Sequence, residues 1–87
     1  MKSVLLEESA LEDLQFWAKN DIKLLKRIVE VLADIQKSPY AGIGKPEPLK
    51  HQYKGYWSRR INDEHRLVYT VTDDSIIVIA CRYHYSK

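Results

Sequence analysis

The sequence predicts an α+β fold: an N-terminal strand and an antiparallel helix hairpin packed on a mostly antiparallel sheet of four to five strands. Three observations lead to this prediction. Apolar residues recur every three or four positions through residues 9–37, the spacing of amphipathic helices. Residues 49–83 instead form short β-rich runs, alternating or continuously apolar, separated by turns. Because the helices precede most of the strands rather than alternating with them, the class is α+β rather than α/β.

The chain of 87 residues is expected to be a single domain, residues 1–87, with one core. Hydrophobic residues make up 45% and charged residues 30%, as in ordinary globular proteins. No apolar run approaches the roughly 18 residues that span a bilayer, and no signal-peptide pattern is present. The single cysteine, Cys81, leaves no partner for an internal disulfide. A cytoplasmic protein without membrane contact is therefore expected.

The first strand is predicted at residues 3–6, which are apolar and partly β-branched. Ser9 followed by Glu12 matches a capping box, so the first helix is expected to begin near Ser9 and to run through Lys19. An earlier first turn at residues 7–8 is the alternative. The residues expected on its buried face are Leu11, Leu14, Trp17 and Ala18.

Asp21 is the expected N-cap of a second helix that ends near Lys37-Ser38, before Pro39. Its apolar positions recur at three- and four-residue spacing and predict one buried face. That face is expected to hold Ile22, Leu25, Ile28, Val29, Leu32 and Ile35. The two helices are expected to form a hairpin that covers one face of the sheet.

The second half of the chain predicts a meander of strands joined by turns of two to four residues. The expected strands are residues 49–53, 56–61, 65–71 and 75–83. Residues 76–80 are continuously apolar, which is typical of a strand buried on both faces. Between the helices and these strands lies a loop, residues 39–48, that contains all three prolines of the chain. Loops of this length in small domains are often functional.

Within that loop, Glu47 lies between Pro46 and Pro48. Each proline fixes its own φ and favours an extended conformation in the residue before it, so Glu47 is expected on a stiff, extended backbone. Two interpretations follow. The segment is a rigid connector whose glutamate keeps it soluble, or it places a carboxylate for chemistry.

Charge is unevenly distributed along the chain. Residues 1–38 carry six lysines and arginines against seven acidic residues, whereas residues 39–87 carry eight against five. The second half also contains all three histidines. An anionic partner would therefore bind the second half, although an excess this small does not by itself predict nucleic-acid binding.

Strand pairing through the turn at Asp73-Asp74 places residue 66 opposite the low 80s, so Arg66 and His84 are expected near one end of the sheet. The loop bearing Glu47 leads into the neighbouring strand. A carboxylate, a guanidinium and an imidazole brought together match the needs of phosphodiester cleavage beside a 2′-hydroxyl. The carboxylate accepts the hydroxyl proton, the guanidinium stabilises the charged transition state, and the imidazole protonates the leaving oxygen.

The other polar residues of the sheet half have plainer interpretations. Arg59, Arg60 and Arg82 are expected to be surface ion pairs or phosphate-positioning residues. Cys81 is expected to be a buried thiol. The three histidines lack the spacing of metal ligands. From the residues alone, the chain is an RNA- or anion-binding α+β domain, and catalysis and non-catalytic binding both remain open.

Several segments strongly resemble the YoeB branch (Txe/YoeB) of the RelE-type bacterial toxins. They are Gly44-Lys45-Pro46-Glu47-Pro48-Leu49-Lys50-His51, Gly55-Tyr56-Trp57-Ser58-Arg59-Arg60-Ile61, Glu64-His65-Arg66-Leu67-Val68-Tyr69, Val71-Thr72-Asp73-Asp74 and Ala80-Cys81-Arg82-Tyr83-His84-Tyr85. The likeness spans nearly the whole chain and is most specific in its second half.

The resemblance implies a toxin of a type II toxin–antitoxin pair, an endoribonuclease that cuts mRNA in the ribosomal A site. It implies catalytic roles for Glu47 as general base, Arg66 as transition-state cation and His84 as general acid, with Tyr85 beside the scissile nucleotide. Implied RNA or ribosome contacts are Lys50, His51, Arg60 and Arg82. The expected products are a 2′,3′-cyclic phosphate and a 5′-hydroxyl, with no metal and no cofactor.

The same resemblance implies several partners. These are a YefM-like antitoxin that blocks the site, a second copy of the toxin in a homodimer, and operator DNA reached only through the antitoxin complex. A non-catalytic module that binds RNA, the ribosome or the antitoxin is the alternative function.

Overall fold

The computed structural model describes residues 1–82, which form two helices and a five-stranded sheet. The elements follow in the order β1 (Ser3–Leu6), α1 (Glu8–Asn20), α2 (Ile22–Lys37), β2 (Glu47–Pro48), a 3₁₀ turn (His51–Tyr53), β3 (Trp57–Arg60), β4 (Arg66–Val71) and β5 (Ser75–Ala80). This arrangement confirms the predicted α+β class. Neither helix in this part of the chain is long and apolar enough to cross a membrane.

The strand order in the sheet is β1-β5-β4-β3-β2. Strands β2 to β5 pair antiparallel with their neighbours, as short turns require, whereas β1 pairs parallel with β5. The parallel pair arises because the helices intervene between the first strand and the rest of the sheet. In this strand order β1 and β2 are the two edge strands, and β2 is only two residues long.

The core lies between the two helices and one face of the sheet. Helix α2 contributes Leu24, Ile28, Val31 and Ile35, and the central strands contribute Leu67, Tyr69, Ile76 and Val78. Trp17 joins them from α1, and its indole N–H donates to the carbonyl oxygen of Cys81 at 2.8 Å. Cys81 is buried, as predicted.

Helix α1 begins earlier than the capping box predicts. Its N-cap is Glu7, which is extended and makes no side-chain cap, so the alternative first turn is the observed one. The Ser9 hydroxyl donates to the carbonyl oxygen of Ile79 at 2.5 Å instead of capping the helix. The capping-box prediction was wrong because contact with β5 captures that hydroxyl. Asp21 does cap α2, accepting from the Leu24 N–H.

The predicted buried faces of both helices were partly wrong. On α2, Ile22 and Val29 are more than half exposed, while Leu24 and Val31 are buried in their place. On α1, Ala10 is buried and Leu11 is about half exposed, at 47%. Apolar residues occupy more than one helical face, so the spacing alone leaves the rotation of each helix open. Packing on the sheet decides it.

Two strand predictions need correction. Residues 49–53 do not form a strand, since His51 has a left-handed φ of 59° and residues 51–53 turn instead. Local hydrogen bonds from Tyr53 N–H to Lys50 O and from Lys54 N–H to His51 O replace strand pairing there. The last strand ends at Ala80, and residue 83 lies outside the described residues. That strand is also not buried equally on both faces, because Ile77 and Ile79 are only half-buried.

Candidate functional site

Glu47 lies on the edge strand β2, in the extended conformation that its flanking prolines predict. It pairs with Ser58 of β3, so both side chains project from the same face of the sheet. Ser58 pairs in turn with Val68, whereas the neighbouring Leu67 belongs to the core beneath the helices. The carboxylate of Glu47 therefore lies on the sheet face opposite the helices.

Arg66, the first residue of β4, contacts Glu47 directly. Its Nη1 donates to Glu47 Oε1 at 3.0 Å and lies 3.5 Å from Ser58 Oγ. The Arg66 side chain is 25% exposed and that of Glu47 is 62% exposed, so the pair faces solvent on one side. The approach of Arg66 to the Pro-Glu-Pro loop, which the strand order predicts, is thus observed.

A bulge in β5 decides which face of the sheet the side chains at the end of this strand lie on. The register runs Tyr69 with Val78 and then Val68 with Ala80, which leaves Ile79 without an opposite residue. Ala80 therefore lies on the face of Glu47, and Cys81 turns into the core. His84 and Tyr85, the predicted acid and its neighbour, lie outside the described residues.

The four predicted RNA contacts occupy different positions. Arg60 is half-buried and pairs directly with Arg66 across β3 and β4, so it shares the face of Glu47. Lys50 and His51 are exposed just beyond β2. The guanidinium of Arg82 lies 3.6 Å from the ring centroid of Phe16 in α1, which places it at the end of α1 and β5. Their assignment as RNA contacts stays a prediction.

Arg59 corrects the prediction that it lies at the surface. It pairs with Leu67 and therefore points under the helices, where its side chain is fully buried. Its guanidinium makes five hydrogen bonds, matching its five N–H donors. The acceptors are Asp34 Oδ2 at 2.6 Å, Tyr69 Oη at 3.2 Å, and the carbonyl oxygens of Ser38, Ala41 and Ile43 at 2.6, 3.0 and 2.9 Å.

Sequence reasoning missed this cluster because Arg59 and Arg60 are adjacent and chemically identical. The available signal was the strand alternation, which forces one of two successive residues to the helix side. Asp34 on α2 was the other signal, since a buried guanidinium requires an anionic partner. Two further hydrogen bonds complete the cluster: Tyr69 Oη donates to Pro39 O at 2.6 Å, and Ile43 N–H donates to Asp34 Oδ2 at 3.0 Å.

Burial and this cluster shift three pKa values. Hydrogen bonding from Arg59 lowers the pKa of Asp34, and the Ile43 N–H adds to the effect. Burial raises the pKa of Tyr69, against the opposing hydrogen bond from Arg59. Burial also raises the pKa of the Cys81 thiol to about 12, with a smaller contribution from the charge of Asp13. Asp34 is therefore held ionised, and Cys81 and Tyr69 are held protonated.

The exposed pair of Glu47 and Arg66 can offer a carboxylate as a proton acceptor and a guanidinium as an anion ligand from one small area. The pair of Asp34 and Arg59 offers neither, because the Arg59 side chain is fully buried and all its donors are engaged by Asp34, Tyr69 and the loop carbonyls. Residues 1–82 contain no group of three or more histidine, cysteine, aspartate or glutamate side chains arranged to hold a metal ion.

Comparison with known proteins adds family information to this geometry. Residues 6–85 match the family model described as "YoeB-like toxin of bacterial type II toxin-antitoxin system". Toxin YoeB of Escherichia coli K12 is 53% identical over 85 residues, covering 98% of this chain and 100% of that protein.

Two solved structures from Staphylococcus aureus are also similar to the described fold. One is a YoeB dimer, with a TM-score of 0.90 and 47% identity, covering 97% of this chain and 98% of that chain. The other is a heterotetrameric YoeB–YefM toxin–antitoxin complex, with a TM-score of 0.88 and 46% identity, covering 98% and 99% of the two chains.

Proposed function

The chain belongs to the YoeB-like toxins of bacterial type II toxin–antitoxin systems, and we propose that it acts as a ribosome-dependent endoribonuclease. The proposed substrate is mRNA in the ribosomal A site, and cleavage stops translation. The single observation that supports this activity best is the contact of Glu47 Oε1 with Arg66 Nη1, at 3.0 Å on an exposed sheet face. A carboxylate and a guanidinium meet there from β2 and β4, the strands on either side of β3.

In the proposed reaction, the carboxylate of Glu47 accepts the proton of the 2′-hydroxyl. The 2′-oxygen then forms a bond to the adjacent phosphorus as the bond from phosphorus to the 5′-oxygen breaks. His84 donates a proton to the departing 5′-oxygen, so the products are a 2′,3′-cyclic phosphate and a 5′-hydroxyl. The proposed reaction balances its bonds and protons without a metal or cofactor. A positioned acid or base group typically raises the reaction rate by about 10²–10⁴-fold.

Arg66 has two successive partners in this scheme. In the free protein it binds Glu47, and on substrate binding its guanidinium moves to the phosphate, where charge develops in the transition state. The exchange costs little, because an ion pair this exposed contributes about 0–1 kcal/mol. Glu47 is then released as an ionised base beside the 2′-hydroxyl. Tyr85 is proposed to lie beside the scissile nucleotide, and Lys50, His51, Arg60 and Arg82 to contact RNA or the ribosome.

Partners are proposed from the relatives. Because a YoeB–YefM complex and a YoeB dimer are known from Staphylococcus aureus, we propose that this chain binds a YefM-like antitoxin and pairs with a second copy. Its apolar surface supports protein partners, since several aliphatic side chains are about half exposed. These are Leu5 at 51%, Leu11 at 47%, Ile22 at 53% and Val29 at 58%. Operator DNA would be bound only through the antitoxin complex, and a cytoplasmic location follows from the ribosomal substrate.

The test is cleavage of a defined mRNA on translating ribosomes by wild type, Glu47→Gln and His84→Gln. We expect each substitution to lower the cleavage rate by about 10²-fold or more, with unchanged thermal stability for Glu47→Gln. Glu64→Gln is the matched control: it makes the same chemical change in an exposed carboxylate, 72% exposed, and should leave cleavage unchanged. Product ends should be 2′,3′-cyclic phosphate and 5′-hydroxyl.

Two results would contradict the proposal. If Glu47→Gln and His84→Gln both cleave mRNA at the wild-type rate, the roles of Glu47 as base and His84 as acid are wrong. RNA that changes its mobility on a gel without changing its length would favour the alternative, a non-catalytic module that binds RNA, the ribosome or the antitoxin.

A further inference from the structure

The cluster around Arg59 connects three parts of the chain that are distant in sequence. It joins Asp34 of α2 and Tyr69 of β4 to the loop that precedes β2. That loop, residues 38–44, has no regular secondary structure of its own. Three of its carbonyl oxygens, on Ser38, Ala41 and Ile43, accept from the one guanidinium.

Strand β2 is short and pairs with β3 over two residues, Glu47 with Ser58 and Pro48 with Trp57. Pro46 and Pro48 have no N–H, so they cannot donate to β3. Two backbone hydrogen bonds flank β2: Arg60 N–H donates to Gly44 O at 2.6 Å, and Leu49 N–H donates to Tyr56 O at 2.8 Å. The first of these depends on where the loop lies. The contact is close, since a Cβ on Gly44 would meet Arg60 O at 2.8 Å.

We propose that Arg59 is a positioning residue, whose buried guanidinium holds residues 38–44 on the sheet and thereby places the carboxylate of Glu47. Arg59 lies on the helix face and Glu47 on the opposite face, so it touches neither RNA nor the reacting atoms. It acts through the backbone, from the loop carbonyls to Gly44 and on to the extended segment at Pro46. Prolines on both sides of Glu47 transmit this placement, because they leave the segment few alternative conformations.

The position of the strand is tested first, without any measurement of activity. Tyr69→Phe removes the hydroxyl that accepts from Arg59 Nε and donates to Pro39 O, with little change of shape. We expect exchange of the Arg60 amide hydrogen to accelerate by about tenfold, since loosening the loop frees its acceptor, Gly44 O. The control is Ile76→Val, a change in the core away from the loop. It should change the exchange rate of the Arg60 amide no more than that of neighbouring core amides. If the Arg60 amide exchanges equally fast in Tyr69→Phe and Ile76→Val, the proposal is wrong.

The second measurement rests on the proposed function, and it separates positioning from a general loss of folded protein. Arg59→Lys keeps the charge but has three donors instead of the planar fork of five. We expect kcat for mRNA cleavage to fall by about 30-fold with KM changed by less than about threefold. In the Glu47→Gln background the same substitution should lower kcat by less than about threefold, because the group it positions is already absent.

The outcomes are distinguishable. An equal loss in both backgrounds means that Arg59 acts only on folding, and the proposal is then wrong. If Arg59→Lys does not fold, Tyr69→Phe is measured in the same two backgrounds, with the same decision between unequal and equal losses. If the wild-type protein cuts no RNA, the proposed nuclease fails, while the exchange of the Arg60 amide still decides whether the cluster holds β2.

Discussion

Removing the carboxylate of Asp34 should destabilise the protein far more than removing a surface carboxylate of the same helix. Asp34 Oδ2 lies 2.6 Å from Arg59 Nη1, whose side chain is 0% exposed. Breaking a buried ion pair costs about 3–5 kcal/mol, because the remaining charge has no counter-charge. Asp34 itself is 28% exposed and Arg59 keeps four other acceptors, so we expect Asp34→Ala to cost about 3 kcal/mol, the lower end.

The assay is reversible unfolding followed by circular dichroism. For a chain of this length, a loss of 3 kcal/mol lowers Tm by about 12–24 °C. Glu30→Ala is the matched control: on the same helix, that carboxylate is 68% exposed and lies 3.4 Å from Arg27, so its loss should cost less than about 1 kcal/mol. Asp34→Asn keeps one acceptor oxygen, so its loss of stability should lie between those of Asp34→Ala and Glu30→Ala. If Asp34→Ala is no less stable than Glu30→Ala, the argument from burial is wrong.

The contact between Asp34 and Arg59 also predicts how the stability of the protein depends on pH. Because Arg59 lowers the pKa of Asp34 in the folded state, the ionised carboxylate stabilises the fold above its unfolded pKa, about 3.9. That contribution is lost as the pH falls through the lower folded pKa. The difference in unfolding free energy between wild type and Asp34→Asn should therefore shrink as the pH decreases below about 4. A difference that stays constant down to pH 2 would contradict the assigned cause.

Two further predictions concern Cys81 and Gly44. Burial raises the pKa of the Cys81 thiol to about 12, so the folded state keeps the proton, and stability should fall by up to about 1.4 kcal/mol per pH unit as the pH rises above about 9. Measured by chemical denaturation, the unfolding free energy of Cys81→Ala should fall less steeply above about pH 9 than that of wild type. Equal slopes in the two proteins would exclude the thiol as the cause. Gly44→Ala should lower both stability and mRNA cleavage, because Gly44 has φ 79° and its Cβ would meet a backbone oxygen. A Gly44→Ala protein with wild-type melting and cleavage would show that the loop tolerates a shift there.

Much of the site's location could be predicted from the sequence. The period-two pattern and the short turns predict that the strand of Arg66 lies beside the strand at residues 56–61, and the structure pairs β4 with β3. Local backbone chemistry predicts the extended conformation of Glu47. These inferences depend only on neighbours in the chain, and the contact of Glu47 with Arg66 agrees with them. The placement of His84 and the roles of all these residues stay predictions.

The sequence by itself determined the α+β order of elements, the extended Glu47 segment and the pairing of the Arg66 strand with the strand before it, because each depends on local periodicity, on flanking prolines or on short turns. Only the tertiary structure decided that Arg59 is buried while Arg60 faces the site, and that Ala80 rather than Cys81 lies on the site's face. Those outcomes depend on which sheet face the helices cover and on a one-residue bulge at Ile79. A period-two pattern is the same for either face, so packing against α2 is the physical reason that one face became the core and the other the candidate site.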